Sequence, residues 1–401
     1  MSEASIVGAR APHLAQAHQH GALACWSDDP ALEAFMQDGD RRARALPNRG
    51  PVRFGADGRL HPDILDAYWQ YGFYVFEGLV QPAELAELRA DFDRALERAP
   101  VTKDSPVDAF GQPALGTGFR VPTWLFVPPL SDPVGGTAKN HGRHPVKMDE
   151  PAPPEDAPEH VLHMAFGLLQ IMDSCLHLYG HPHMLAVAEA VNGPDFVPYN
   201  DAIFIKQPGL GASVAWHQDG IVHWNKPDFD QGTHGFNFMI QLYGSTAGNG
   251  VWVVPGTHKL GKVDIKAMVE ANGGSDRFPQ AVPLVCGPGD MFICNRQLVH
   301  GSYANVSPDL RVTINFGFHR RKSVLGAPAA LTSKPGTVYD EAHIHERSRM
   351  IALGIDARAQ YYPDEPRFTY QPMVGREDEN RWSEAQRNTL LKDYNLRDMG
   401  I

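Results

Sequence analysis

The spacing of apolar residues changes near residue 197, and the change divides the expected architecture. Before it, intervals of three and four dominate. Residues 62–71 read as a helix that runs into the short apolar strand 73–76. Leu85, Leu88, Phe92 and Leu96 mark the inner face of an amphipathic helix opening around Pro82. Residues 160–179 and 182–191 read as further helices, the second stopped by Asn192-Gly193. From residue 197 the spacing shortens to alternation, with candidate strands at 202–206, 212–222, 235–243, 250–254, 281–285, 290–294 and 310–319. Short strands parted by Gly, Pro and Asn predict a sandwich or barrel, so the class is mainly β with flanking helices, α+β.

Three stretches depart from this pattern. Residues 1–51, rich in Ala, Gly and charge with one short helix near Pro30, are expected to strap over the body or to be partly disordered. Residues 100–159 are Pro- and Gly-rich, yet contain the apolar knot Val121, Trp124, Leu125 and Phe126. They also hold the cations Arg120, Lys139, Arg143 and Lys147, which suits a cover over a site that receives an anion. Residues 324–401 return to mixed character, with a helical stretch at 383–394, and are expected to pack on the barrel as an extension. The resulting organisation is one domain over 52–323 between a strap and a C-terminal extension, with 100–159 inserted in it.

Composition changes this picture little. The 401 residues are 43% hydrophobic and 21% charged, ordinary for a globular protein. A net charge of −11 argues against a nucleic-acid binder, which needs a basic face for phosphates. Four scattered cysteines without CxxC read as reduced thiols; with no secretory leader and no membrane-spanning run, the expectation is a cytoplasmic protein. Most of the nineteen histidines, His18, His20, His141 and His144 among them, are expected to be solvated, and the pair His343 and His345 lacks a carboxylate partner.

The chemistry concentrates in Trp216-His217-Gln218-Asp219. In an extended segment His217 and Asp219 project from one face, and an imidazole with a carboxylate supplies two ligands of a 2-His-1-carboxylate triad. His300, in Val299-His300-Gly301-Ser302, is the candidate third ligand, and Arg311 follows it by eleven residues. Arg311, Thr313 and Asn315 alternate with Val312, Ile314 and Phe316, so the arginine sits on a polar face that requires an anionic partner.

This order of His217-x-Asp219, Asn249-Gly250, Pro255-Gly256-Thr257-His258, Gly289-Asp290, His300-Gly301-Ser302 and Arg311 resembles the phytanoyl-CoA dioxygenase branch of the 2-oxoglutarate-dependent oxygenases, over roughly residues 200–318. The resemblance implies a double-stranded β-helix, a jelly-roll barrel with the metal in one mouth. It implies Fe(II) on His217, Asp219 and His300, with 2-oxoglutarate as cosubstrate, its distal carboxylate on Arg311 and Thr313, and O2 as oxidant. Lys206 matches a position that contacts cosubstrate or substrate, or ends a strand in solvent. Asn237, Met239 and Gln241 share one strand face of the cosubstrate pocket, with Met239 where some relatives have Trp. Trp252 and His258 buttress the barrel. The implied function is oxidation, by default hydroxylation, of a small organic molecule with release of succinate and CO2. A cupin-like metal-dependent hydrolase or isomerase, and a ligand-binding barrel without turnover, are the alternatives.

Overall fold

The structure, a computed structural model, describes residues 29–221, 224, 235–329 and 336–397. Among these residues twelve strands form two sheets. The larger runs β1 (Arg49–Gly50), β2 (Phe73–Phe76), β10 (Met291–Asn295), β7 (Gly235–Gln241), β12 (Arg311–His319), β5 (Val197–Lys206), β4 (Val161–Phe166), β3 (Trp124–Val127) in spatial order. The smaller runs β6 (Val214–His217), β11 (His300–Ser302), β8 (Trp252–Val253), β9 (Val282–Pro283). Every pairing is antiparallel except that of β1 with β2. The sheets face each other as the two halves of a double-stranded β-helix, with helices on the outer face of the larger one.

The inner strands β2, β10, β7 and β12 of the larger sheet are buried on both faces, and the pleat sends side chains of the sheet to two different places. Phe236, Phe238, Ile240, Val312, Ile314, Phe316, Ile203 and Ile205 point outward into the main core with Leu88, Phe92, Leu176, Leu185 and Met350 from the helices. The alternate residues Asn237, Met239, Arg311, Asn315 and Lys206 face the space between the sheets. A one-residue slip would turn the polar set into the core, so register and site are specified together.

Two expectations are corrected here. Residues 160–179 do not form one helix: Val161–Phe166 is strand β4, paired with β5 and β3, and helices resume only at Leu168–Ile171 and Asp173–Tyr179. A short apolar run such as Val-Leu-His-Met-Ala-Phe fits either period, and pairing with Ala202, Ile203 and Phe204 decides it. The mixed-character tail contains a 21-residue helix, Glu341–Tyr361. Its second half is buried on every side, from Met350 to Arg358, so it lacks the one-sided stripe that marks a surface helix. At the N-terminal end, residues 1–28 of the expected strap, with Cys25, lie outside the described residues. The helix Pro30–Ala45, capped by Asp29, stacks Phe35 on Trp252 at 4.6 Å. Cys175, Cys286 and Cys294 are buried free thiols, and no helix among the described residues is long and apolar enough to cross a membrane.

The tail helix meets the body at a glycine pair: a Cβ on Gly180 would fall well inside contact distance of the Gly354 carbonyl oxygen. Gly180→Ala is therefore expected to cost about 1–3 kcal/mol through overpacking, read as a lowered urea midpoint in far-UV circular dichroism. An unchanged midpoint would show that this contact is not tight in solution.

Candidate metal centre and its cavity

Strands β6 and β11 pair so that His217 stands directly opposite His300, with ring centroids 4.1 Å apart. Gly301 makes the close approach possible, because a Cβ there would lie 3.1 Å from the Val214 carbonyl oxygen and 3.2 Å from the Trp216 ring. The third residue is placed differently from expectation. Asp219 lies past the end of β6, so strand alternation does not position it. Its backbone N–H donates to the Arg296 carbonyl at 2.7 Å, and its Oδ2 accepts from Asn237 Nδ2 at 2.7 Å. This brings Oδ1 to 3.6 Å from His217 Nε2 and Oδ2 to 4.0 Å from His300 Nε2. One potential ligand atom from each residue falls within 4.8 Å of the others, and among the described residues no other such cluster is present.

The imidazoles are presented for metal binding. His217 Nδ1 lies 2.8 Å from the Ala215 carbonyl and His300 Nδ1 lies 2.8 Å from the Leu298 carbonyl. Each carbonyl accepts the Nδ1 proton, which leaves the Nε2 lone pair directed at the common point. Burial lowers the pKa of both histidines, with His300 adding to the effect at His217 and Asp219 opposing it at His300. Burial alone would raise the Asp219 carboxyl, but Arg296, His300, Arg143 and His217 outweigh it and hold the group ionised well below the usual range. Two neutral imidazoles and one carboxylate are the donor set of a facial triad, and they fit a ferrous ion.

The triad opens into a cavity of about 360 Å³ between the sheets. Arg311 lines it, and Lys206 stands opposite Arg311 across the β5–β12 pair. Arg311 Nε donates to Thr313 Oγ1 at 2.9 Å, and Nη1 reaches the Asn249 carbonyl at 3.2 Å and Ser302 Oγ at 3.4 Å. Thr313 in turn donates to Gln241 Oε1 at 2.9 Å. Among the described residues no carboxylate pairs with Arg311, and burial pushes its pKa down to about 10. Lys206 is 1% exposed, which removes the solvated-strand-end reading. Its Nζ donates to the Tyr303 carbonyl, and burial, then the charge of Arg311, draws its pKa well down.

The face Asn237, Met239, Gln241 is used in three ways. Asn237 grips the Asp219 carboxylate, Met239 is part of the cavity wall, and Gln241 stands behind the wall holding Thr313. Trp252 and His258 are fully buried away from the metal point, His258 Nε2 lying 3.0 Å from the Trp69 carbonyl.

Residues 131–150 belong to the stretch expected to cover the site, and within them the sequence did not reveal His144 and Asp132. His144, expected in solvent, is 4% exposed and stacks on His217, with centroids 4.2 Å apart and planes 13° from parallel. Its Nδ1 is 3.5 Å from Asp132 Oδ2. That oxygen also accepts from the Ala215 N–H at 2.7 Å, which helps hold the Asp132 carboxyl down to about 2 against its burial. Arg143 Nη1 lies 3.3 Å from Asp219 Oδ1. His163, from the unexpected strand β4, lines the cavity with its Nδ1 unpartnered, and burial lowers it to about 4. The apolar knot was a usable signal for a pinned segment; the burial of His144 depends on contacts distant in sequence.

The fold and the triad define a mononuclear, facially ligated metal site in a double-stranded β-helix, the arrangement of non-haem iron oxygenases. The phytanoyl-CoA dioxygenase (PhyH) family matches residues 68–313, and the chain belongs to that family of iron- and 2-oxoglutarate-dependent enzymes. Phytanoyl-CoA dioxygenase 1 of Oryza sativa subsp. japonica is 30% identical over 110 residues, 26% of this chain and 37% of that protein. Phytanoyl-CoA dioxygenase of Arabidopsis thaliana is 30% identical over 115 residues, 26% of this chain and 38% of that one. The chain thus spans well under half the length of these relatives. Among solved structures, EctD from S. alaskensis with 2-oxoglutarate and 5-hydroxyectoine superposes with a TM-score of 0.45 at 16% identity, covering 68% of this chain and 81% of that chain.

Asn237 is the side chain that orients the carboxylate ligand. Asn237→Ala is expected to weaken Fe(II) affinity by about 10–100-fold in an anaerobic titration, with the circular dichroism of the fold unchanged. Unaltered affinity would show that the backbone contact to Arg296 positions Asp219 alone.

Proposed function

We propose that the protein is an Fe(II)- and 2-oxoglutarate-dependent dioxygenase that oxidises, by default hydroxylates, a small organic molecule. The observation that carries this reading is a single cavity with a ligand triad at one point of its wall and a buried, carboxylate-free arginine at another. His217, Asp219 and His300 would hold iron on one side, leaving the cavity side for cosubstrate and dioxygen. Bound together, iron and 2-oxoglutarate supply the oxidation: the oxo acid loses CO2 and becomes succinate as dioxygen is consumed, with one oxygen atom passing to the substrate.

The chain's own groups do the positioning. A planar guanidinium suits the distal carboxylate of 2-oxoglutarate, and Thr313, fixed by Gln241, keeps the Arg311 fork in its plane. Lys206, beside Arg311, offers a second cation whose charge an arriving carboxylate would stabilise. The Asp219 carboxylate would take the metal position that a halide needs in chlorinating enzymes of this chemistry, which favours oxygen transfer. His144 and residues 131–150 cover the triad and limit water around it. The buried free thiols suit a reducing compartment, and we place the protein in the cytoplasm.

Arg311→Lys keeps the charge but loses the fork. The apparent affinity for 2-oxoglutarate is expected to fall by about ten-fold or more, roughly 1.4 kcal/mol of binding, measured as succinate formation against cosubstrate concentration. A cosubstrate titration indistinguishable from wild type would mean that Arg311 serves only the fold.

A further inference from the structure

We infer that the substrate is a small organic anion whose carboxylate or phosphate is received by Arg143, which makes Arg143 the specificity-determining residue of the cover. The inference rests on the function proposed above and concerns the part of the cavity that iron and 2-oxoglutarate leave free.

The charge balance of the cavity is the first observation. Among the described residues, four cations line it, Arg143, Lys206, Arg296 and Arg311, against two carboxylates, Asp132 and Asp219. Burial lowers His163 to about 4, and His217 and His300, with Nδ1 on backbone carbonyls, would offer a bound metal neutral Nε2 lone pairs, so none of the three adds charge. A ferrous dication and a 2-oxoglutarate dianion cancel, so the loaded site retains its cationic excess. It does so even with Lys206 neutral. Uncompensated positive charge in a low-dielectric space is costly until an anion joins it.

The second observation identifies which cation is free to take that anion. Arg311 and Lys206 stand together at the cosubstrate end, and Arg296 lies over the Tyr199 ring at 4.3 Å. Arg143 has a buried Nε with no hydrogen-bond partner, and its carboxylate contact is Asp219 Oδ1. Asn237 occupies Oδ2, so Oδ1 is the oxygen most open to iron. Bound metal would draw on that oxygen and leave the guanidinium in need of another anion.

Third, Arg143 is held in place. Asp132 anchors the segment to Ala215, the Asp132 N–H donates to Glu150 Oε1 at 2.7 Å, and the Asp149 N–H donates to Asp276 Oδ2 at 2.8 Å. Asn140, His141 and Gly142 all have positive φ, an uncommon run that turns the chain just before Arg143. The residue also lies on the wall of a second, outer recess of about 420 Å³, with His141, Lys262 and Lys266 around it. The carboxylate on that recess, Asp264, is engaged by the Ala267 N–H at 3.0 Å. Among the described residues, Arg143, Lys262 and Lys266 on the recess outnumber that one carboxylate, a cationic excess that favours an approaching anion. Inside, Leu125, Val127, Met164, Phe166 and Phe204 give the organic body an apolar wall.

The test uses three probes with one apolar body: phenylacetate, phenyl phosphate and neutral phenylacetamide. Each is titrated by calorimetry into the anaerobic protein loaded with Fe(II) and 2-oxoglutarate. At least one anion is expected to bind about ten-fold or more tightly than the amide, and the better of the two distinguishes carboxylate from phosphate. Arg143→Gln should abolish that preference, Arg143→Lys should retain much of it, and Lys139→Gln, an exposed cation of the same segment, should leave it intact. The ratio of anion to amide affinity is insensitive to a general loosening of the site, and the lysine variant keeps the question open to test if the glutamine variant misfolds. Equal binding of anion and amide, failure of both anions to bind, or an unchanged ratio in Arg143→Gln overturns the inference while the oxygenase reading stands. Failure of the wild type to bind 2-oxoglutarate brings down both.

Discussion

The pairing of β6 with β11 is the constraint on which the site depends. It places His217 and His300 opposite each other across two strands, and the carbonyls of Ala215 and Leu298 then turn both rings the same way. Neither ring can turn otherwise without losing its hydrogen bond to a backbone carbonyl. Asp219 needs the other sheet as well, because its carboxylate is held by Asn237 on β7 and its N–H by the segment leading out of β10. The metal point is thus where the two sheets are tied together, and a site built this way is as rigid as the fold that carries it.

Electrostatics then separates the cavity into regions with different tasks. Burial keeps the imidazoles neutral, while surrounding cations keep Asp219 ionised, so the ligands are in their binding forms before a metal arrives. Lys206 and Arg311 are adjacent basic groups out of water, an arrangement disfavoured unless an anion joins it. In the proposed function the distal carboxylate of 2-oxoglutarate supplies that anion. Residues 131–150 bring a further cation against Asp219 and an imidazole ring against His217.

The sequence made the barrel strands legible wherever alternation was strong. Arg311, Thr313 and Asn315 were readable as one polar face because Val312, Ile314 and Phe316 are uniformly apolar, and the structure sends the two sets to cavity and core. The triad residues were readable from residue type and motif order, but not the position of Asp219, which lies beyond β6 and is held by Asn237 and Arg296. Three elements were not. Strand β4 hides in a run without a clear period, and strand β11 is only three residues long. The tail helix Glu341–Tyr361 is enclosed on all sides along its second half, so its sequence shows no hydrophobic stripe. His144 and Asp132 were beyond local reasoning, because their roles arise from packing on Ala215 and His217 some seventy residues away. The same limit applies to Asn237, whose strand face was readable but whose partner was not.

The central claim is that one cavity binds iron and 2-oxoglutarate together. It is tested most directly by adding Fe(II) and then 2-oxoglutarate to the wild-type protein without oxygen, while recording the visible absorption spectrum. The account predicts a charge-transfer band that requires both components and saturates at one equivalent of each per chain. Iron binding with no spectral response to 2-oxoglutarate would contradict it.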